Sequence, residues 1–116
     1  MRSKALRFGK GFRVAISNAR AQAAEMVIEP GGKEGGPDNR HDGADQWLFV
    51  VAGSGFARLN GRERSLKQGT LVLIEKGDRH EIRNSGRTPL RTLNFYSPPA
   101  YDGEGKPKRQ ARPGGD

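Results

Sequence analysis

Apolar residues recur at every second position through much of the chain. Phe12, Val14 and Ile16 share one face of an extended segment. Ala24, Met26 and Ile28 do the same beyond a turn at 18–20, and Arg13, Glu25 and Glu29 point the other way. The same alternation predicts strands over 46–52, 56–59, 62–66, 70–74, 80–84 and 90–96. Asn60-Gly61 is the strongest turn signal, because both residues tolerate the positive φ that a type I′ hairpin demands. No stretch carries a 3.6-residue apolar period. About eight short strands separated by glycine turns point to an all-β barrel or sandwich.

Two stretches break the pattern. PGGKEGGPDN, residues 30–39, holds four glycines and two prolines, which suit neither a helix nor a central strand; it is expected to be a loop. SPPAYDGEGKPKRQARPGGD, residues 97–116, has little to bury and is expected to be disordered or draped over the surface. The predicted organisation is a disordered basic arm (1–10), a barrel (11–98) and a flexible tail (99–116). Trp47 and Phe49 alternate with Leu48 and Val50, so their strand should be covered on both faces, by the barrel on one side and by a second sheet or subunit on the other.

Composition narrows the function classes. A chain of 116 residues makes one domain. It has no cysteine, which removes disulfides and thiolate metal sites and suggests a reducing, cytoplasmic setting. The longest apolar run, WLFVVA at 47–52, is far too short to span a bilayer, and the N-terminal stretch lacks the apolar core of a secretory signal, so no membrane association is expected. The net charge of +8 is concentrated in residues 1–20, which hold six basic and no acidic side chains. Such an arm could touch phosphates. Without a helix-turn-helix pattern, interleaved aromatics or zinc-finger spacing it is expected to be a solvated arm or first strand, not a nucleic-acid binder. Arg58, Arg62 and Arg64 are expected on solvated strand faces.

The candidate chemistry lies with the two histidines. Each stands near a strand mouth after a glycine-bearing loop, where a neutral imidazole could turn into a barrel and meet its counterpart. Asn39, His41, Gln46 and Gly53 read N-x-H-x4-Q-x6-G, and Gly69, Glu75, Gly77, His80 and Asn84 read G-x5-E-x-G-x2-H-x3-N. These resemble the two motifs of the cupin superfamily, G-x5-H-x-H-x3,4-E-x6-G and G-x5-P-x-G-x2-H-x3-N, and the fifteen residues between them suit the small single-domain bacterial cupins.

The resemblance runs over 24–98 and implies a jelly-roll barrel, frequent dimerisation and often a divalent metal. By position it assigns His41, Gln46, His80 and Asn39 as the metal ligands. The chain departs from the family pattern in four places: Asn39 stands for a histidine, Gln46 for the glutamate, Glu75 for the proline, and the leading glycine is displaced. Imidazole nitrogen with amide oxygen suits Fe, Mn, Ni, Zn or Cu. The set is neutral, so a bound cation would keep its charge and favour an anionic small molecule. Asp38, Asp42 and Asp45 are secondary candidates for a missing carboxylate. Gln46 needs a bulge or bend near 42–44 to face the same way as His41.

The expected function is a metal-binding cupin acting on a small organic molecule, with dioxygenase-like or isomerase-like chemistry, working as a homodimer. No general base is evident in the sequence. The alternative is a ligand-binding or sensing cupin without catalysis, its metal site degenerate or empty. Gly53 and Gly77 are expected to serve turns.

Overall fold

The structure is a computed structural model describing residues 1–40, 43–102 and 107, the side chains of 36–40 excepted. Among these residues there are nine strands and no helix: β1 (Gly11–Ser17), β2 (Gln22–Ile28), β3 (Lys33–Arg40), β4 (Asp45–Ala52), β5 (Gly55–Leu59), β6 (Arg62–Leu66), β7 (Leu71–Ile74), β8 (Arg79–Arg83) and β9 (Leu90–Ser97). They form two antiparallel sheets, ordered β1-β2-β9-β4-β7 and β3-β8-β5-β6. The expected all-β jelly roll is what the chain adopts. The period-two pattern drives it: Leu48, Val50 and Ile74 of the larger sheet pack against Ala57, Leu66 and Ile82 of the smaller one.

The predicted hairpin forms as its sequence requires. Leu59 pairs with Arg62, and Asn60 and Gly61 between them have φ of 50° and 83°. Gly53 serves a turn and a close approach at once: its φ is 89°, and an added Cβ would clash with the Pro89 carbonyl oxygen. The first turn is held by Asn18, whose Oδ1 accepts the N–H groups of Arg20 and Ala21 at 2.8 and 2.9 Å.

Four expectations are corrected or extended. The segment 30–39 is not wholly loop, because residues from Lys33 onward form β3. Lys33, Glu34 and Gly35 pair with Arg83, Ile82 and Glu81, and the register then slips before Arg40 meets Arg79. β3 is an edge strand, the one setting in which proline and several glycines can be carried without breaking a ladder on both sides. Ile16 does not share a face with Phe12 and Val14. A bulge after Val14 sets Ile16 opposite Ala23, reversing its facing, and Ile16 lies with Ala23 and Phe95 in an outer groove.

Glu25 faces outward as expected, yet it is only 2% exposed. The segment before β1, which has no regular structure, passes over it: the N–H groups of Arg7 and Phe8 each donate to Glu25 Oε1 at 2.6 Å, and Arg13 Nε donates to Oε2 at 2.6 Å. Burial alone raises the Glu25 carboxyl pKa, but these hydrogen bonds and the Arg13 charge outweigh it and hold the carboxyl below its usual range. At the other end, packing continues past Pro98. Ala100 is buried, and Tyr101 lies 4.5 Å from Phe12 and 5.0 Å from Tyr96, ring centre to ring centre. Gln22 anchors this turn by accepting the N–H groups of Ala100 and Tyr101 at 3.2 and 3.0 Å and donating to the Tyr101 carbonyl at 2.8 Å.

Candidate functional site

Gln46 is the second residue of β4 and His80 the second of β8, so the two sheets deliver them to the same end of the barrel. Both line one small cavity of about 40 Å³. Met26 and Tyr96 complete its wall from the larger sheet, Glu34 and Ile82 from the smaller, and Tyr101 contributes from the C-terminal turn.

The approach to His80 is fixed by turn chemistry. Asp78 closes the β7–β8 turn, its N–H donating to the Glu75 carbonyl at 2.9 Å and its Oδ2 accepting the Glu75 N–H at 3.0 Å. Asn60, at the tip of the β5–β6 hairpin, donates to Asp78 Oδ1 at 3.0 Å, and its Oδ1 accepts the Arg79 N–H at 2.9 Å. The His80 ring is therefore approached by backbone held on both sides. Its Nδ1 lies 3.4 Å from the Asp78 carbonyl oxygen. A carbonyl only accepts, so this long contact is compatible with a proton on Nδ1.

Gln46 is held from the opposite side. Its Nε2 donates to Asn94 Oδ1 at 2.8 Å; Asn94 Nδ2 donates to Thr92 Oγ1 at 2.9 Å; Thr92 Oγ1 donates to the Met26 carbonyl at 2.8 Å. Asn94 and Thr92 have no solvent exposure at all and face inward in step with Leu90 and Tyr96. Two polar side chains at the centre of an apolar sheet cost stability unless fully paired, and here each is paired.

Glu34 is the site residue that sequence reasoning missed. It belongs to the stretch read as loop, and only the β3–β8 pairing brings it to the cavity wall. Desolvation raises its carboxyl pKa above the usual value. Burial likewise pushes the Tyr96 phenol well up, with Tyr101 and Glu34 acting in the same direction, and burial raises Tyr101. Both phenols therefore stay neutral hydrogen-bonding groups.

Of the four predicted metal ligands, Gln46 and His80 are brought together. Asn39 is carried by β3 but its side chain lies outside the described residues, as does His41. Asp45 is directed elsewhere: its Oδ1 accepts the Lys76 N–H at 2.9 Å. Asp42 and the Asp38 side chain lie outside the described residues; of the bulge or bend expected at 42–44, Gly43 forms a bend just before β4. Among the described residues no three histidine, aspartate or glutamate side chains gather at one point. The donor types lining the cavity are imidazole, amide and carboxylate, a set whose chemistry is compatible with a divalent transition metal.

Asn84, the last residue of the second motif, is structural. It donates to the Ile28 and Thr88 carbonyls at 2.7 and 2.8 Å and accepts the Gly86 N–H at 2.8 Å. Arg58 is paired with Glu63 at 2.7 Å, and neither Arg62 nor Arg64 lines the cavity. Among the described residues no helix is long and apolar enough to cross a membrane.

Known proteins share this architecture and sequence. The chain is 33% identical over 73 residues to tetracenomycin polyketide synthase protein TcmJ of Streptomyces glaucescens, covering 63% of this chain and 48% of that one. It is 29% identical over 79 residues to the oxalate-binding protein of Thermotoga maritima, covering 68% and 64%. The chain thus spans about half to two thirds of the length of these relatives. A crystal structure of a Bacillus halodurans protein superposes with a TM-score of 0.75 at 25% identity, covering 85% of this chain and 76% of that one. The family description Cupin_2, "Cupin domain", matches residues 24–96. The chain belongs to the cupin family.

Proposed function

We propose that this protein is a small metal-binding cupin that takes a small anionic organic molecule at the cavity shared by Gln46 and His80. The observation that supports it is the convergence of these two side chains, one from each motif and each sheet, on a single polar hollow. His80 Nε2 and Gln46 Oε1 would hold the ion, with His41 and Asn39 as the further ligands the motif assigns. These four donors are neutral, so a bound divalent cation would keep a net positive charge even beside the single Glu34 carboxylate on the wall, which suits an anionic partner. The relative named for binding oxalate lends weight to a small carboxylate.

When bound, the metal supplies Lewis acidity. Glu34, which keeps its proton more readily than an ordinary glutamate, stands on the cavity wall as the group able to give or take one. Tyr96 and Tyr101 present neutral hydroxyl-bearing rings that limit water at the same end. Dioxygenase-like or isomerase-like turnover follows family resemblance. A second reading, ligand binding without turnover, draws on the same oxalate-binding relative, whose name states binding only.

The outer face of the larger sheet supports a homodimer, because Trp47, Phe49, Leu71, Leu73 and Phe95 are all exposed there. The cytoplasm is the proposed location, consistent with the absence of cysteine.

The test of the site is metal loading. Protein stripped with a chelator and reloaded with Zn²⁺, Ni²⁺, Mn²⁺ or Fe²⁺ is expected to retain about one ion per chain, and His80→Ala protein far less. Retention of no ion by the unmodified protein would remove the metal from the proposal and leave ligand binding.

A further inference from the structure

The three-bond chain behind Gln46 has a direction, and that direction decides which end of the Gln46 amide meets the cavity. It starts from the Met26 carbonyl, which can only accept. An oxygen of Thr92 lies 2.8 Å away, so the one hydroxyl proton of Thr92 is committed there. The Asn94 atom 2.9 Å from Thr92 Oγ1 must then be a donor, which makes it Nδ2 and turns Oδ1 toward Gln46. The Gln46 atom 2.8 Å from that oxygen must in turn be a donor, which makes it Nε2. Each assignment follows from the one before, and none can be reversed alone without facing two acceptors or two donors.

We infer that Thr92 and Asn94 are positioning residues that lock Gln46 with its carbonyl oxygen toward the cavity. The site is thereby built to meet a cation or a hydrogen-bond donor at this wall, and it disfavours ligand acceptor atoms there. The lock stands on the hydrogen-bond network alone; its role in holding a metal rests on the proposed function. It also accounts for two fully buried polar residues that packing does not need, since valine or leucine at 92 and 94 would fill the core without polar groups to satisfy. Glutamine at 46 fits the same scheme: an ionised glutamate would set a carboxylate oxygen against Asn94 Oδ1, while glutamine offers a donor.

The lock is tested by NMR of the intact, metal-free protein. The side-chain N–H of Gln46 that meets Asn94 is expected to exchange with solvent at least about tenfold more slowly than an exposed glutamine amide, as a buried, hydrogen-bonded group should. Thr92→Val, which keeps the shape and removes the hydroxyl, is expected to lose that protection, and Thr92→Ser to retain it. A Gln46 side-chain amide exchanging at the exposed rate in the unmodified protein overturns the lock without needing any variant to fold. So does full protection in a folded Thr92→Val protein.

Zn²⁺ titration of the same samples reads the functional role separately. Thr92→Val is expected to weaken Zn²⁺ binding about tenfold relative to the unmodified protein and Thr92→Ser to leave it unchanged, the effect of losing a group that orients a ligand. If the unmodified protein binds no Zn²⁺, Ni²⁺ or Mn²⁺ while Gln46 is protected, the metal proposal fails and the lock stands. Equal Zn²⁺ affinity in Thr92→Val and unmodified protein overturns the positioning role.

Discussion

Gln46 and His80 stand on different sheets and in different motifs, yet both open onto the same small cavity. They get there through different local chemistry. His80 is placed by a turn tied to the Asn60 hairpin tip, and Gln46 by a buried chain of side-chain hydrogen bonds reaching β2. Changes behind either residue should therefore act on the site without touching it.

The hairpin tip offers one such change. Asn60→Ala removes the donor to Asp78 and the acceptor for Arg79, and alanine resists the positive φ at this position. Stability is expected to fall by about 2 kcal/mol in urea unfolding, and Asn60→Gly, which keeps the conformation, to recover part of it. Equal losses in the two variants would show that the conformation contributes nothing.

Gln22 joins the barrel to the C-terminal turn. Gln22→Ala leaves the backbone N–H groups of Ala100 and Tyr101 without their acceptor in a buried place. The expected cost is about 2 to 3 kcal/mol, read by urea unfolding. Ending the chain at Pro98 should cost at least as much, because Tyr101 leaves its contacts with Phe12 and Tyr96. A loss under about 0.5 kcal/mol in both would mean the turn is not part of the folded core.

Glu25 should give the fold an acid-sensitive latch. Its carboxyl titrates below the ordinary glutamate range when folded, so its contribution is present in full above that range and is lost as the pH falls through the lower folded value. Glu25→Gln should be less stable than the unmodified protein at about pH 7, with the gap closing toward about pH 3. A gap that stays constant across that range would contradict the assignment.

The exposed apolar face makes the oligomer testable. Leu73 sits opposite Trp47, which sits opposite Phe95, and all three side chains are exposed. Light scattering at micromolar concentration is expected to give twice the chain mass for the unmodified protein and the single-chain mass for Leu73→Arg, since a buried unpaired charge opposes association. A monomeric unmodified protein would contradict the homodimer.

Much of this was legible in the chain itself. Alternation gave the inward face of β2 and the existence of β4 and β7, Asn60-Gly61 gave its hairpin, and motif spacing paired Gln46 with His80. The failures share a cause: local rules assume a partner environment. Glycine and proline in 30–39 read as loop because nothing local announces an edge position, and with β3 went Glu34. Ile16 was misplaced because a bulge leaves no mark in a period-two pattern. Thr92 and Asn94 could have been found, since they fall in phase with Leu90 and Tyr96 on the face expected to be apolar. Tyr101 could not, because its burial depends on Gln22, far away in sequence.

The most direct measurement is anomalous diffraction from crystals of the protein loaded with Zn²⁺. The expected result is one peak per chain at the cavity, at about 2.0 to 2.2 Å from both His80 Nε2 and Gln46 Oε1. No peak there, or a peak that approaches Gln46 through Nε2, would contradict the proposed centre.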